Sequence, residues 1–296
     1  MIDCLIYFGF LSLRSFLRIL PLFAIRSFAF CLARFAYFVD RKHTRIIHKN
    51  LDYFLGDRYS ASERKKIAKA IYLRFANYLF DLLRSRKRDK ETLKSIVKVE
   101  NEVFLLEAIE KGEKIILLTA HYGYWELIAQ YICAVYRPFV TIGQKLENSP
   151  RLSAELKRYR EASGLEVIDK KGAMRSIARA LKDDKIIGFL SDQSARSGAK
   201  VKLFDRDLIW FDSASRLAKS FGAIVIPCYI TTEDFKSYTL FFSQPLRCDS
   251  SAEKEADIKR MTKLEALSLQ SAIERNPEEY FWFHKRVKRE IKGFYD

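Results

Sequence analysis

Glycine is scarce in this 296-residue chain, eleven residues in all, and the glycines never gather into a phosphate cradle. There is no P-loop and no GxGxxG, which removes the sequence basis for the common nucleotide- and dinucleotide-binding sites. There is no GxSxG either, and no serine stands out as a nucleophile matched to a histidine, so a serine-hydrolase elbow is excluded. The five cysteines (Cys4, Cys31, Cys133, Cys228 and Cys248) form no CxxC pair. They read as thiols in a reducing compartment, with neither a disulfide framework nor a metal site. Long apolar runs are also missing from the N-terminal region, where the longest uncharged stretch, Cys4 to Leu13, is too short for a clean spanning helix. The start has no basic n-region and no cleavage pattern, so it is not an ordinary signal peptide.

What is present is aromatic and basic. Phe (23) and Tyr (15) are abundant, and 53 Lys and Arg against 37 Asp and Glu leave a net charge of +16. The aromatic and apolar content excludes disorder and suits a protein that meets apolar ligands or lipid. The charge attracts polyanions: anionic lipid, an acidic protein or nucleic acid. Nucleic acid has only charge in its favour, because no reader motif accompanies it. Residues 1–40 are strongly apolar, interrupted by Arg14, Arg18, Arg26 and Arg34 and split by Pro21. This composition predicts a membrane-associating segment, either two helices lying in the interface or one tilted helix whose arginines snorkel. Arg41-Lys42-His43-Thr44-Arg45 adds a basic flank suited to an anionic leaflet. A core helical hairpin is the competing reading of the same residues.

Residues 45–85 are expected to be helical, with Ser60 or Ser62 capping a helix from Glu63 to Leu83. Arg84-Ser85-Arg86-Lys87-Arg88-Asp89-Lys90 follows as a charge run. From Lys98 onward strands and helices alternate. Predicted strands end at Thr119, Ile142, Ile168 and Leu190, and others cover Lys200–Phe204, Ile224–Tyr229 and Tyr238–Phe242. Predicted helices cover 103–111, 124–135, 150–163, 173–181, 213–221 and 252–275, with a last one after Asn276-Pro277. The alternation predicts a mixed α/β domain over 41–296, with a largely parallel central sheet flanked by helices.

Three constellations carry possible chemistry. The first is His121-Tyr122-Gly123-Tyr124-Trp125-Glu126, where an apolar strand runs into a turn. Carboxyl ends of such strands are where α/β folds place their sites. A neutral imidazole takes a proton near pH 7, and a carboxylate on its other nitrogen fixes the tautomer. The expectation is that Gly123 lets the chain turn back so that Glu126 reaches His121. The second is Asp192-Gln193, also at a strand end; in one parallel sheet both turns open on the same edge. The third is Lys157-Arg158-Tyr159-Arg160, whose arginines suit a phosphate or a developing oxyanion. The plain alternatives are a buried structural histidine, a capping aspartate and a solvated helix face.

These residues resemble a known family. His121 with Glu126 is similar to the HX4D/E motif of glycerolipid-type acyltransferases. Tyr136-Arg137-Pro138, Arg158-Tyr159-Arg160 and Ser191-Asp192-Gln193 follow in the order found in the lipid A biosynthesis acyltransferases, which add secondary lauroyl or myristoyl chains. The resemblance covers roughly residues 45–230. It implies a glycerolipid acyltransferase-like fold and acyl transfer from acyl carrier protein to a hydroxyl of a lipid A precursor, usually one carrying Kdo sugars. The place of work it implies is the cytoplasmic face of the bacterial inner membrane. It implies His121 as base, Glu126 as its acidic partner, and Arg158 and Asp192 as further catalytic residues, with Arg160 competing with Arg158. Arg137, Arg160 and Gln193 are the expected substrate-binding residues. Two elements depart from the family pattern: Asn148-Ser149-Pro150 stands later than the usual Asn-Pro, and Leu203-Phe204-Asp205-Arg206 replaces a Phe-Phe-Gly loop. Direct attack of a hydroxyl on a thioester requires no enzyme nucleophile, metal or other cofactor beyond the acyl-carrier thioester. Both the carrier protein and a phosphorylated acceptor are acidic, and they suit a chain of charge +16. The expected partners are therefore acyl carrier protein, a lipid A precursor and anionic membrane lipids, with no nucleic acid.

Overall fold

A computed structural model describes residues 2–84, 88–143, 149–169 and 173–296. The middle of the 84–90 charge run and Asn148 lie outside the described residues. Four helices come first: α1 (Ile2–Ile19), α2 (Leu22–Val39), α3 (Arg41–Leu55) and α4 (Ala61–Arg84). Ser60 starts α4 through a reciprocal capping box, its hydroxyl accepting from Glu63 N while Glu63 accepts from Ser60 N at 2.8 Å. Then come α5 (Lys90–Ile96), β1 (Val97–Glu100), α6 (Val103–Glu110), β2 (Ile115–Thr119), α7 (Trp125–Val135), β3 (Phe139–Gly143), α8 (Pro150–Ala162), β4 (Glu166–Asp169), α9 (Ala173–Lys182) and β5 (Ile186–Leu190). A hairpin, β6 (Ala199–Leu203) and β7 (Arg206–Trp210), leads to α10 (Ser213–Phe221), β8 (Ile224–Thr231), β9 (Tyr238–Phe242) and α11 (Lys254–Arg275).

Seven strands form one sheet in the order β1-β9-β8-β2-β5-β3-β4. All pairs are parallel except β8 with β9. The mixed, mostly parallel sheet expected from the alternation is therefore present. Its strands alternate between two cores, as a period of two requires. Ile115 and Leu117 pack with Leu105, Leu127 and Ile128 of α6 and α7. Ile116 and Leu118 face Ile177, Leu181 and Leu217 of α9 and α10. The short elements α5, β1 and β7 were not expected from the sequence; each is seven residues or fewer, too short for a periodic signal.

The helix expected after Asn276-Pro277 is a single 3₁₀ turn, Pro277–Glu279, followed by irregular backbone. The backbone polar groups of this segment go across to other segments. Tyr280 bridges to Tyr122, and Phe281 N donates to the His121 carbonyl at 2.9 Å. The Leu203-Phe204-Asp205-Arg206 stretch is a two-residue hairpin turn with positive φ at Phe204 (49°) and Asp205 (61°). Two consecutive positive φ values match the strand twist of a type I′ hairpin, without the usual glycine. The Phe204 side chain is buried, which helps to hold it there.

Helices α1 and α2 share one core with α3, α4 and the C-terminal residues. Ile25, Ala29, Ala33 and Tyr37, spaced four apart, form the buried stripe of α2. Arg26 donates from this helix to Asn77 (2.9 Å) and Asp81 (3.0 Å) of α4. The opposite face is bare: Phe23, Phe35 and Phe38 are 74%, 64% and 67% exposed. Among the described residues, α2 is the one helix long and apolar enough to cross a membrane by length and composition.

Candidate active site

Strands β2 and β5 are direct neighbours, with Thr119 opposite Leu190. Their carboxyl ends therefore deliver His121 and Asp192 to one place, although 71 residues separate them. His121 Nδ1 lies 2.9 Å from Asp192 Oδ1, and His121 N donates to Oδ2 at 3.1 Å. Both carboxylate oxygens are thus engaged by one residue, and Asp192 is fully buried. With Nδ1–H donating to the carboxylate, Nε2 is the basic nitrogen. Burial opposes the charged imidazole, but the Asp192 charge and hydrogen bond outweigh it and raise the His121 pKa. Burial likewise opposes the Asp192 carboxylate; the imidazole's charge and hydrogen bond prevail and hold its pKa at about 2. Each partner stabilises the charged form of the other, as a base–carboxylate pair requires.

Glu126 does not make the expected bond to His121. It sits in the first turn of α7 and accepts from Arg160 Nε at 3.1 Å and from Arg160 Nη2, a bidentate pair. The carboxylate on His121 comes instead from the neighbouring strand. Gly123 has a different task from the one expected. Its φ is +59°, and a Cβ there would stand 1.7 Å from the Ile230 carbonyl. The glycine lets β8 approach the turn closely, and Gly123 N donates to the Glu279 carbonyl at 3.0 Å.

Residues 2–289 match the family model described as bacterial lipid A biosynthesis acyltransferase. The chain belongs to that family. It is also similar to a phosphatidylinositol mannoside acyltransferase of Mycolicibacterium smegmatis (strain ATCC 700084 / mc(2)155), 26% identical over 160 residues, which is 52% of each chain. The chain thus spans about half the length of this curated relative.

The remaining expected residues divide. Arg160 is at the site, two-thirds or more covered, whereas the Arg158 side chain is 76% exposed and, among the described residues, has its ion pair with Glu155, at 3.7 Å. Two residues along a helix rotate the side chain by about 200°, so only one of this pair can face Glu126. Arg137 is not near His121. It follows the last turn of α7, where the chain enters β3 at the amino edge of the sheet, and it donates to the Ile109 carbonyl at 3.0 Å. An α7 of eleven residues separates the two edges by roughly 16 Å. Gln193 is exposed beside the site, its Nε2 3.3 Å from His284 Nε2.

His284 lies in the aromatic and basic run Phe281-Trp282-Phe283-His284-Lys285-Arg286. The fold brings its ring to 5.2 Å from that of His121, with Trp125 at 5.1 Å and Phe281 at 6.0 Å completing the walls. Burial above all, opposed by the Asp192 charge and aided by His121, Arg286 and Lys288, pushes the His284 pKa down to about 4, so its ring is neutral at physiological pH. The Tyr280 hydroxyl donates to the Asp192 carbonyl at 3.3 Å, tying this C-terminal segment to the second strand end. The one sequence signal was the density of aromatics around a histidine, Phe281-Trp282-Phe283-His284. His43 and His48 lie elsewhere, on Asp40 and Tyr37. Among the described residues no cluster of His, Cys, Asp and Glu is arranged to hold a metal ion.

Proposed function

We propose that the protein transfers a fatty acyl chain from the thioester of acyl carrier protein to a hydroxyl of a lipid A precursor carrying Kdo sugars, a secondary acylation in lipopolysaccharide biosynthesis. It works at the cytoplasmic face of the bacterial inner membrane. The observation that carries this reading is the pairing of a partly exposed His121 with the buried Asp192, with Nδ1 on the carboxylate and Nε2 left as base. Family membership over residues 2–289 supports the class of chemistry.

In this mechanism His121 Nε2 takes the proton of the acceptor hydroxyl as its oxygen attacks the thioester carbonyl. The tetrahedral intermediate collapses with loss of the carrier thiolate, which receives that proton from the His121 imidazolium. Asp192 fixes the tautomer and stabilises the imidazolium. Arg160, oriented by Glu126, stabilises negative charge on the intermediate or on an acceptor phosphate. The chemistry needs no metal and no other cofactor. The net charge of +16 favours encounter with an acidic carrier protein and an anionic acceptor.

The test is transfer from acyl-carrier thioester to a Kdo-bearing lipid A precursor by the purified protein, followed by mass spectrometry. Wild type adds one acyl chain, and His121→Ala adds none while keeping its membrane association. Equal acylation by both would refute the mechanism. A second reading keeps the chemistry and changes the acceptor to another glycolipid, favoured by the similarity to a phosphatidylinositol mannoside acyltransferase. Lipid A of unchanged mass, with an altered glycolipid or phospholipid in cells lacking the gene, selects it.

A further inference from the structure

The arginines that interrupt the apolar N-terminal helices are not equivalent. Arg14 reaches Glu155 of α8, and Arg26 is held between Asp81, Asn77 and the Phe235 carbonyl. Both are turned into the protein and neutralised. Arg34 turns outward from the same α2. It is exposed, it has no carboxylate partner among the described residues, and its guanidinium lies over the Phe30 ring at 5.0 Å. Lys69 of α4, also exposed and without a carboxylate partner among the described residues, lies 5.8 Å from the Tyr37 ring centroid. Both cations line a groove of about 120 Å³ between α2 and α4, whose other walls include Phe30, Ala33, Tyr37 and Leu73.

An unpaired guanidinium on an otherwise apolar, aromatic face is costly against hydrocarbon unless an anion meets it. The groove has the converse composition of a phospholipid at the level where phosphate meets glycerol: cations at the rim, aromatic and aliphatic carbon inside. Its volume takes part of one chain and not a whole lipid. The rest of such a lipid stays in the bilayer beside Phe35 and Phe38, which are exposed on the same helix. The orientation of α2 follows from the same contacts. Its buried stripe and the Arg26–Asp81 pair bind it along α4, so it cannot be surrounded by lipid as a spanning helix would be.

We infer that this groove binds one anionic phospholipid of the bilayer, its phosphate on Arg34 and Lys69, and that α2 lies in the membrane interface. The inference rests on reading the bare face of α2 as membrane-facing, and it is independent of the acyl-transfer chemistry.

The test uses the full chain, with vesicles of phosphatidylglycerol mixed with phosphatidylcholine and vesicles of phosphatidylcholine alone. Wild type partitions more strongly into the mixed vesicles. Arg34→Gln with Lys69→Gln weakens that partition by about twenty-five-fold, roughly fivefold per cation, and leaves binding to pure phosphatidylcholine unchanged. The control, Lys254→Gln with Lys259→Gln, removes two exposed cations of α11 outside the groove. An equal loss in this control would mean diffuse surface attraction and overturn the site. Native mass spectrometry of the detergent-solubilised protein supplies the second readout: one phosphatidylglycerol retained by wild type and lost in Arg34→Gln/Lys69→Gln. No retained phospholipid, retention unchanged by the double substitution, or a lipid A-type molecule in its place would each overturn the proposal. Circular dichroism melts of the variants check folding.

Discussion

Replacing Asp192 with Asn keeps the volume of the buried turn and removes the charge that sets His121. Two hydrogen bonds are affected, one to the ring and one to the His121 backbone. A hydrogen bond to a charged group contributes about 1.5–3 kcal/mol, so the imidazolium loses support of this order. The His121 pKa therefore falls in the variant. The sign follows from the role: a base works when neutral, so activity rises with pH through the His121 pKa. That pKa is raised above 6.5 in the wild type, and the acid limb of the pH–rate profile of Asp192→Asn moves to lower pH. A second loss is larger. The Asn amide can donate to Nδ1, which reverses the tautomer and leaves the proton on Nε2. In a Ser-His-Asp triad the same change costs about 10⁴-fold in kcat, and a loss of roughly 10³- to 10⁴-fold is expected here with KM little changed. The assay is steady-state transfer from acyl-carrier thioester between pH 5 and about 9, the range in which a histidine base titrates. A variant within tenfold of wild-type kcat, or an acid limb that does not move, would refute the pairing of His121 with Asp192 as the catalytic device.

Arg160→Gln should lower kcat by about 10²-fold through loss of a charged donor at the site, while Arg158→Gln stays within about threefold; the same transfer assay separates them. Gly123→Ala should destabilise the protein by at least about 3 kcal/mol, because its Cβ meets the Ile230 carbonyl at a positive φ; thermal melting measures it, and a loss below 1 kcal/mol contradicts the close approach of β8. Glu265 is buried beside Ser215, and burial raises its pKa to about 8. The folded state keeps this proton while the unfolded state loses it near pH 4.5, so stability falls as pH rises between those values. Glu265→Gln should therefore melt roughly 5 °C above wild type at pH 8 and match it near pH 4.

Much of the fold was legible because its signals are local. Strand β2 is a continuous apolar run that ends at His121, β5 is another that ends at Asp192, and helices punctuated by Gly and Pro lie between them. Periodicity of that kind is written in neighbouring residues and survives without knowledge of the rest of the chain. It also placed two strand ends that would share one edge if their strands lay in one parallel sheet.

The identity of the partner on His121 was not local. Glu126 is five residues away and Asp192 is 71, yet β2 and β5 pair directly, and the nearer carboxylate is drawn to Arg160. The choice between Arg158 and Arg160 depended on the rotational phase of α8 against α7, which only packing decides. Arg137 adjoins a helix that starts at the site, but the helix carries it to the opposite edge of the sheet. His284 entered because irregular C-terminal backbone bonded across to residues 121–123 in place of continuing a helix. The sequence by itself determined which residue types stand at which strand ends, since that is a matter of local pattern. The tertiary structure alone decided which of them touch, because strand order and helix phase come from burying the whole surface at once.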